Sequence, residues 1–358
     1  MTARGVAHGR VNLIGEHTDY NAGHVLPVGL PHATRVTVTA QAGSTAHISS
    51  DAFGEAAYEL GRETRRGDWA DHVQGVTAAL REAGRHVPAF GARVASDVPI
   101  GAGLASSAAL GVALAKALRG EFRLDLDDTG LALLAQRAEN DFVGARVGVM
   151  DQLAAALLGP GEAALIDTRS LAMRAVVLPA GSDLVVVDSG ARHRNAGGEY
   201  NTRRGQCEEA ARQLGLHALR DVVRPEDVEA LPEPLRRRAR HVVSENARVL
   251  AMAECLGVGD VESAGALLDA SHRSLRDDFE VSTPAIDAVV TALQADPDVL
   301  GARITGGGFG GSVLALARAG RGADVADRAV GAARHAGLRS AGRILPVPAA
   351  VPPKAGDR

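Results

Sequence analysis

The chain has 358 residues, 46% of them hydrophobic, and a formal net charge of -4. That length exceeds the usual span of one hydrophobic core and calls for two domains, and the near-balanced charge gives no electrostatic reason to expect nucleic acid or a membrane surface. No run approaches the ~20 apolar residues of a membrane span. The first residues carry no apolar leader pattern, and the two cysteines, Cys207 and Cys255, make no disulfide framework, so a reducing cytoplasm is the expected compartment.

Residues 9–30, GRVNLIGEHTDYNAGHVLPVGL, set two apolar, strand-like runs (Val11–Ile14 and Val25–Leu30) around Glu16, His17, Thr18, Asp19 and Tyr20. The Asn21-Ala22-Gly23 that follows is turn chemistry. A plain loop needs polarity, but rarely two carboxylates, an imidazole and a phenol together, so this loop is a candidate ligand site. HATRVTVTA (32–40) alternates like a half-buried strand, and DHVQGVTAALREAG (71–84) has the apolar spacing of a helix closed by Gly84.

AFGARVASDVPIGAGLASSAALGVALAKAL (89–118) reads as strand, glycine loop, helix. Gly101 and Gly103 allow a ligand close approach to backbone N–H groups, and Ser106 or Ser107 is expected to open the helix as its N-cap. Free N–H groups and the helix dipole make such a junction a ready anion site. No lysine follows as G-x-x-x-x-G-K-[ST] demands, so this is not the Walker loop, and a purely structural turn is the competing reading.

LALLAQRAENDF (131–142) is a further helix and carries Glu139. Asp151 precedes the apolar QLAAALL, an expensive place for a carboxylate without partners. It reads as a helix N-cap, as a group paired to Arg10, or as both. EAALIDT and DLVVVD are strand-like, and residues 199–295 are dominated by helical patterns. The basic run RRRARH (236–241) continues into an apolar-striped helix and reads as a solvated face. ARITGGGFGGSVLALA (302–317) is strand, glycine loop, strand. Its five glycines between Thr305 and Ser312 point to close backbone packing beside a ligand or a second segment. PVPAAVPPKAGDR begins as a strand end and trails into a tail. Strands and helices mixed without a regular βαβ rhythm predict an α+β fold, with a boundary around Gly159–Asp183.

Taken together, the segments resemble the galactokinase branch of the GHMP small-molecule kinases. GRVNLIGEHTDYNAGHVLP resembles that branch's sugar signature, PIGAGLASSAA the phosphate-loop motif and ITGGGFGGS the third, glycine-rich motif. WADHVQGV (69–76), EYNTRRGQCEEA (199–210) and SHRSLRDDFEVSTPAIDAVV (271–290) match in the same order. The resemblance implies a two-domain α+β fold, 1–170 with a mixed sheet and 171–358 as an α/β domain, with the active site in the cleft between them. It implies Mg²⁺-dependent transfer of phosphate from ATP to the anomeric hydroxyl of α-D-galactose, by a protein expected to be monomeric. On that resemblance Glu16, His17, Asp19, Gly148 (through its backbone) and Tyr200 contact the sugar. Asp151 faces the anomeric hydroxyl with Arg10 as its cationic partner. The nucleotide lies on Gly101, Ala102, Gly103, Leu104, Ala105, Ser106 and Ser107, with Trp69 near the adenine or, alternatively, in the core. Ser107 and Glu139 would hold Mg²⁺. Ala105 and Gly307 stand where the family usually has serine and alanine. A non-catalytic sugar sensor and a kinase for another sugar are the alternatives to the galactose enzyme.

Overall fold

A computed structural model describes residues 2–191 and 196–347. The tail expected after the last strand, residues 348–358, lies outside the described residues. The first half of the chain forms β1 (Thr2–Asn12), β2 (His24–Val25), β3 (Pro27–Ala40), β4 (Thr45–Ser50), β5 (Gly54–Glu59), α1 (Ala70–Glu82), β6 (Phe90–Ser96), α2 (Ser106–Phe122), α3 (Asp128–Arg137) and α4 (Met150–Leu157). The second half forms β7 (Ala163–Asp167), β8 (Met173–Val176), β9 (Ser182–Asp188), α5 (Ala196–Gln213), α6 (Leu235–Val258), α7 (Val261–Asp277), α8 (Pro284–Gln294), β10 (Val299–Thr305), β11 (Ser312–Arg318), α9 (Gly322–His335) and β12 (Gly342–Val347). The mixture of strands and helices is α+β, as the patterning predicts.

Two compact units result, and they interleave along the sequence. Unit 1 is Met1–Arg10, Gly29–Ile100 and Leu104–Pro160; unit 2 is Val11–Val28, Gly101–Gly103 and Gly161 onward. The boundary therefore falls at Pro160/Gly161 rather than at residue 170. The opening polar loop goes with the C-terminal half, because its partners lie in α6, α7 and β10 (below).

In unit 1, β3 pairs antiparallel with β6 from Thr34↔Ser96 to Ala40↔Phe90. β4 runs parallel to β6 and antiparallel to β5. β1 pairs with β3. The Ala-rich α2 buries Ala108, Ala109, Val112, Ala113, Leu114, Ala115, Ala117 and Leu118, packing on α1, α3 and α4. Its small side chains let β1 lie directly on it. A Cβ added to Gly5 would come 2.0 Å from the Ala113 carbonyl oxygen, so no other residue fits there.

In unit 2, four strands pair in the order β10-β11-β9-β12, all antiparallel. The core they share with the helices includes Val185, Val187, Phe279, Ile286, Val289, Ile304 and Val313. β2 pairs antiparallel with β7 through His24↔Asp167 and Val25↔Ile166, and β7 with β8. α7 is drawn onto β10 at Gly265, where a Cβ would stand 2.1 Å from the Leu300 carbonyl.

Candidate active site

The chemistry-bearing residues of unit 1 gather at the start of α2. Ala105, not a serine, occupies the N-cap position, in the left-handed conformation at φ 61°, and no side chain caps the helix. Ser106 and Ser107 lie in the first turn instead, and the hydroxyl of Ser107 donates to Glu139 Oε1 at 2.8 Å. Glu139 Oε2 accepts from Gln152 Nε2 at 2.9 Å. Glu139 sits in a π-helical turn, Ala138–Val143, which follows α3 and is 8% exposed at this residue. Burial pushes its carboxyl up to about 7, opposed by the Ser107 hydrogen bond and reinforced by the nearby charge of Asp151.

Asp151 lies in the first turn of α4, one residue past the helix start, with Val149 at the N-cap position. The N-cap reading of Asp151 therefore fails. Its Oδ1 accepts from Arg10 Nε at 2.7 Å and pairs with Arg10 Nη2 at 2.5 Å, the guanidinium being 5% and the carboxylate 25% exposed. The Arg10 amide donates to the Leu104 carbonyl at 3.2 Å, which ties β1 to the phosphate loop. Gly148 is buried in the loop before α4.

A cavity of about 850 Å³ opens beside this cluster, lined by Phe53, Asp68, Trp69, His72, Ser106 and Ser107 among others. Trp69 is half-buried at its wall and stacks on Phe53 at 5.9 Å and 19°, so it is a cavity aromatic and not a core anchor. The loop that presents it is held by buried Asp71, whose two oxygens accept from the Arg66 and Gly67 amides at 2.8 and 2.7 Å. Phe53 had no signal of its own in the sequence.

The other polar residues gather in unit 2. Glu16 is 2% exposed. Its Oε1 accepts from Thr305 Oγ1 at 3.0 Å and the Gly306 amide at 2.9 Å. Its Oε2 accepts from Asn12 Nδ2 at 2.9 Å and pairs with Arg303 Nη2. A carboxylate has about four acceptor positions, and all four are taken. These contacts anchor Glu16 to Asn12, to β10 and to the glycine loop that follows it.

His17 follows in the left-handed region at φ 63°. Its Nδ1 shares a hydrogen bond of 2.8 Å with Tyr20 Oη, and its ring packs against Phe279 (4.5 Å) and Tyr200 (5.4 Å). Burial holds its pKa well below the usual imidazole value, so the ring is neutral. Nε2 is buried beside the Gly307 backbone. Asp19 is half-buried at the head of a short 3₁₀ turn, next to Tyr20. Tyr200, on α5, is half-buried and meets both His17 and Tyr20.

Both glycine loops meet inside unit 2. Ser312 Oγ donates to the Ala102 carbonyl at 2.7 Å. A Cβ at Gly306, itself at φ 87°, would stand 3.2 Å from the Gly103 carbonyl. Gly101, Gly103 and Ala105 all have positive φ, a run of turns that aims backbone amides rather than side chains.

The basic run 236–241 is solvated at Arg236, Arg237 and Arg240 but buried at Arg238 and His241. Arg238 is 2% exposed and bonds to Gln206, Glu280 and the Asp278 carbonyl, and Arg236, Arg237 and Arg240 pair with Glu233, Glu280 and Glu229. His241 is fully buried, its Nε2 donating to the Glu16 carbonyl at 3.1 Å. Arg303, Glu245 and His241 are therefore functional candidates that the sequence reading passed over. The available signal was a lone arginine in the apolar strand before a glycine loop.

Family comparisons place this architecture among the GHMP kinases. The model of the GHMP kinases N terminal domain matches residues 71–159 and that of the GHMP kinases C terminal matches 251–334. The galactokinase galactose-binding signature matches residues 3–40. The chain is 47% identical over 351 residues to galactokinase of Mycobacterium tuberculosis H37Rv, covering 94% of this chain and 95% of that one. It is 47% identical over 327 residues to galactokinase of Chloroflexus aurantiacus, covering 87% and 83%. Lactococcus lactis galactokinase complexed with galactose superposes with a TM-score of 0.92 at 28% identity, covering 98% of this chain and 94% of that one. L. major mevalonate kinase in complex with R-mevalonate, at 17% identity and a TM-score of 0.67, covering 96% of this chain and 95% of that one, shares the fold. The chain belongs to the galactokinase family.

Proposed function

We propose that the protein transfers the γ-phosphoryl group of ATP to the anomeric hydroxyl of α-D-galactose, giving α-D-galactose 1-phosphate and ADP. The observation that carries this reading is the Arg10–Asp151 pair, its guanidinium buried and its carboxylate partly exposed, beside the Ser107–Glu139 hydrogen bond at the start of α2. Asp151 accepts or orients the hydroxyl proton. Arg10 holds its carboxylate in place and steadies charge on the transferring phosphoryl group. In a loose transition state for phosphoryl transfer, positioning and charge stabilisation supply most of the acceleration.

The nucleotide phosphates take the amides of the 101–107 loop and the α2 N-terminus, with Trp69 and Phe53 flanking the base. Ser107 and Glu139 suit Mg²⁺: both offer hard oxygen, and the buried Glu139 carboxylate has only neutral hydrogen-bond donors to offset its charge. When bound, the cation neutralises phosphate oxygens. The sugar takes His17, Asp19, Tyr200 and the Gly148 backbone, with Glu16 holding the loop that bears two of them. A buried site built on hydrogen bonds rejects a wrong epimer because its own groups are left unpaired. The same reading makes the enzyme a cytoplasmic monomer serving galactose catabolism. A coupled assay of ADP release across a panel of hexoses and pentoses tests it, with ³¹P spectra identifying the product. Galactose 1-phosphate as the dominant product is expected. Sugar-independent ADP release alone, or sugar binding without turnover, rejects it in favour of an ATPase or a sensor.

A further inference from the structure

Unit 2 holds a buried charge cluster that neither the transfer chemistry nor direct sugar contact uses. Arg303 is 0% exposed. Its Nη2 pairs with Glu16 and donates to the Asn12 carbonyl at 3.1 Å, and its Nη1 donates to Ser271 Oγ at 2.9 Å. Ser271 in turn donates to Glu245 Oε1 at 2.7 Å, which also lies 3.6 Å from Arg303 Nη1. The same Glu245 oxygen accepts from the Gly15 amide at 3.1 Å.

Successive backbone groups of the sugar loop are thus held one by one. The Gly15 amide is held by Glu245, the Glu16 carbonyl by His241, and the His17 carbonyl by Asn21 Nδ2 at 2.8 Å. His17 sits in the middle of this at φ 63°, a conformation that is unfavourable for a residue with a Cβ and persists where its surroundings over-determine it. Its Nε2 lies buried against the Gly307 backbone, on the side away from Tyr20.

We infer that Arg303, bridged to Glu245 by Ser271, is a positioning residue for sugar binding: through Glu16 it locks His17 in the left-handed conformation that presents Nε2 to the substrate. The inference rests on the sugar assignment made above. Buried ion pairs add little net stability and are retained where they fix one geometry. Here the geometry is that of the residue next to Glu16. A lysine cannot reproduce the guanidinium's simultaneous reach to Glu16, Asn12 and Ser271.

The test is Arg303→Lys, with Ser271→Ala as the gentler variant should the first fail to fold. Two quantities are read on folded protein: the ¹⁵N shift of His17 Nε2 without sugar, and KM for galactose against KM for ATP. Misplacing a binding group by about 1 Å costs up to ~10²-fold. Arg303→Lys should raise KM for galactose at least ~10-fold, and Ser271→Ala about 3-fold, with KM for ATP within about 2-fold and the His17 signal displaced in both. A His17 signal unmoved in either folded variant overturns the inference, as does equal weakening for galactose and ATP. A parent protein that binds no galactose would instead overturn the sugar assignment, and the His17 shift would still decide whether Arg303 sets its geometry.

Discussion

Glu139 in unit 1 and Glu245 in unit 2 are both buried carboxylates, yet their surroundings drive them apart. Glu245 is flanked by the Arg248 and Arg303 guanidiniums, which hold it down to about 2 against the burial that would raise it. Glu139 has a hydroxyl and an amide as hydrogen-bond partners and drifts up to about 7. One carboxylate is neutralised by the guanidiniums beside it. The other has neutral donors and only a lesser offset from Arg10. A carboxylate short of positive charge is the kind a cation would favour, and on the function proposed above that difference separates scaffold from site.

The sharpest way to break this comparison is Glu245→Gln. Removing one partner of a buried charge cluster strands the other, so urea unfolding should show a loss of roughly 3–5 kcal/mol. Glu139→Gln, by contrast, removes a charge that is poorly compensated, and at pH 8 without metal it should leave stability unchanged or raise it by about 1 kcal/mol. The two substitutions are chemically identical. Losses of equal size would mean that the division into scaffold and site is mistaken.

Asp151→Asn probes the functional side of unit 1. Turnover should fall at least ~10², the scale of a lost acid–base or orienting group, with galactose affinity by calorimetry within about tenfold of the parent. Glu139→Gln should lower turnover by about tenfold and raise the Mg²⁺ concentration for half-maximal rate, since a neutral amide is a poor ligand for a hard cation.

The pH responses also diverge. Glu139 has a folded pKa above its unfolded value, so its contribution to stability is full below about 4.5 and is lost as the pH rises through about 7. Glu245 is depressed, so its contribution is present above 4.5 and is lost only as the pH falls towards 2. Between pH 5 and 8 only the first changes. Hydrogen exchange in 106–122 and 150–157 should then show metal-free protein opening more easily at pH 8 than at pH 5, by at most about 1.4 kcal/mol per pH unit, with Glu139→Gln flattening the trend.

How far these features could be read from the sequence follows the distance between partners. Strands and helices were legible wherever periodicity and glycine punctuation agreed, as in 32–40, 71–84 and 302–317. The phosphate loop was legible as a loop, but the N-cap position falls at Ala105 and not at Ser106 or Ser107 as expected. The Ser107 hydroxyl is bonded instead to Glu139, 32 positions further on, a contact that no local spacing signals. The Glu16–Arg303 pair spans 287 positions, and no local pattern announces it. Arg238 and His241 were hidden by composition: a basic run looks solvated until the carboxylates of other segments are folded onto it. Motif resemblance singled out His17, Asp19 and Asp151 as candidates, yet it could not show that Glu16 bonds to Asn12, Arg303, Thr305 and the Gly306 amide.

The smallest expected effect lies at Gly307, where this chain has glycine and the family motif usually has alanine. Gly307 does not have the positive φ of its neighbours Gly306 and Gly308, so an added methyl brings no backbone strain. It would meet one thing: the ring of Tyr200, with Cδ2 at 3.3 Å and Cε2 at 3.7 Å. That is tighter than ordinary contact by a few tenths of an ångström, and Tyr200 is half-buried, so the ring has room to yield. Gly307→Ala should therefore change KM for galactose by about 2–5-fold with kcat and KM for ATP unaffected, since only a sugar-side group moves. Thermal stability should stay within about 2 °C, a shift well under 1 kcal/mol for a chain of this size. Gly308→Ala is the contrasting control. There φ is 83° and a Cβ would stand 2.5 Å from Val281 Cβ, so unfolding should come at clearly lower denaturant. A Gly307→Ala protein as unstable as Gly308→Ala would show that the loop, and not the Tyr200 ring, absorbs the methyl, and Tyr200 would lose its assignment to the sugar.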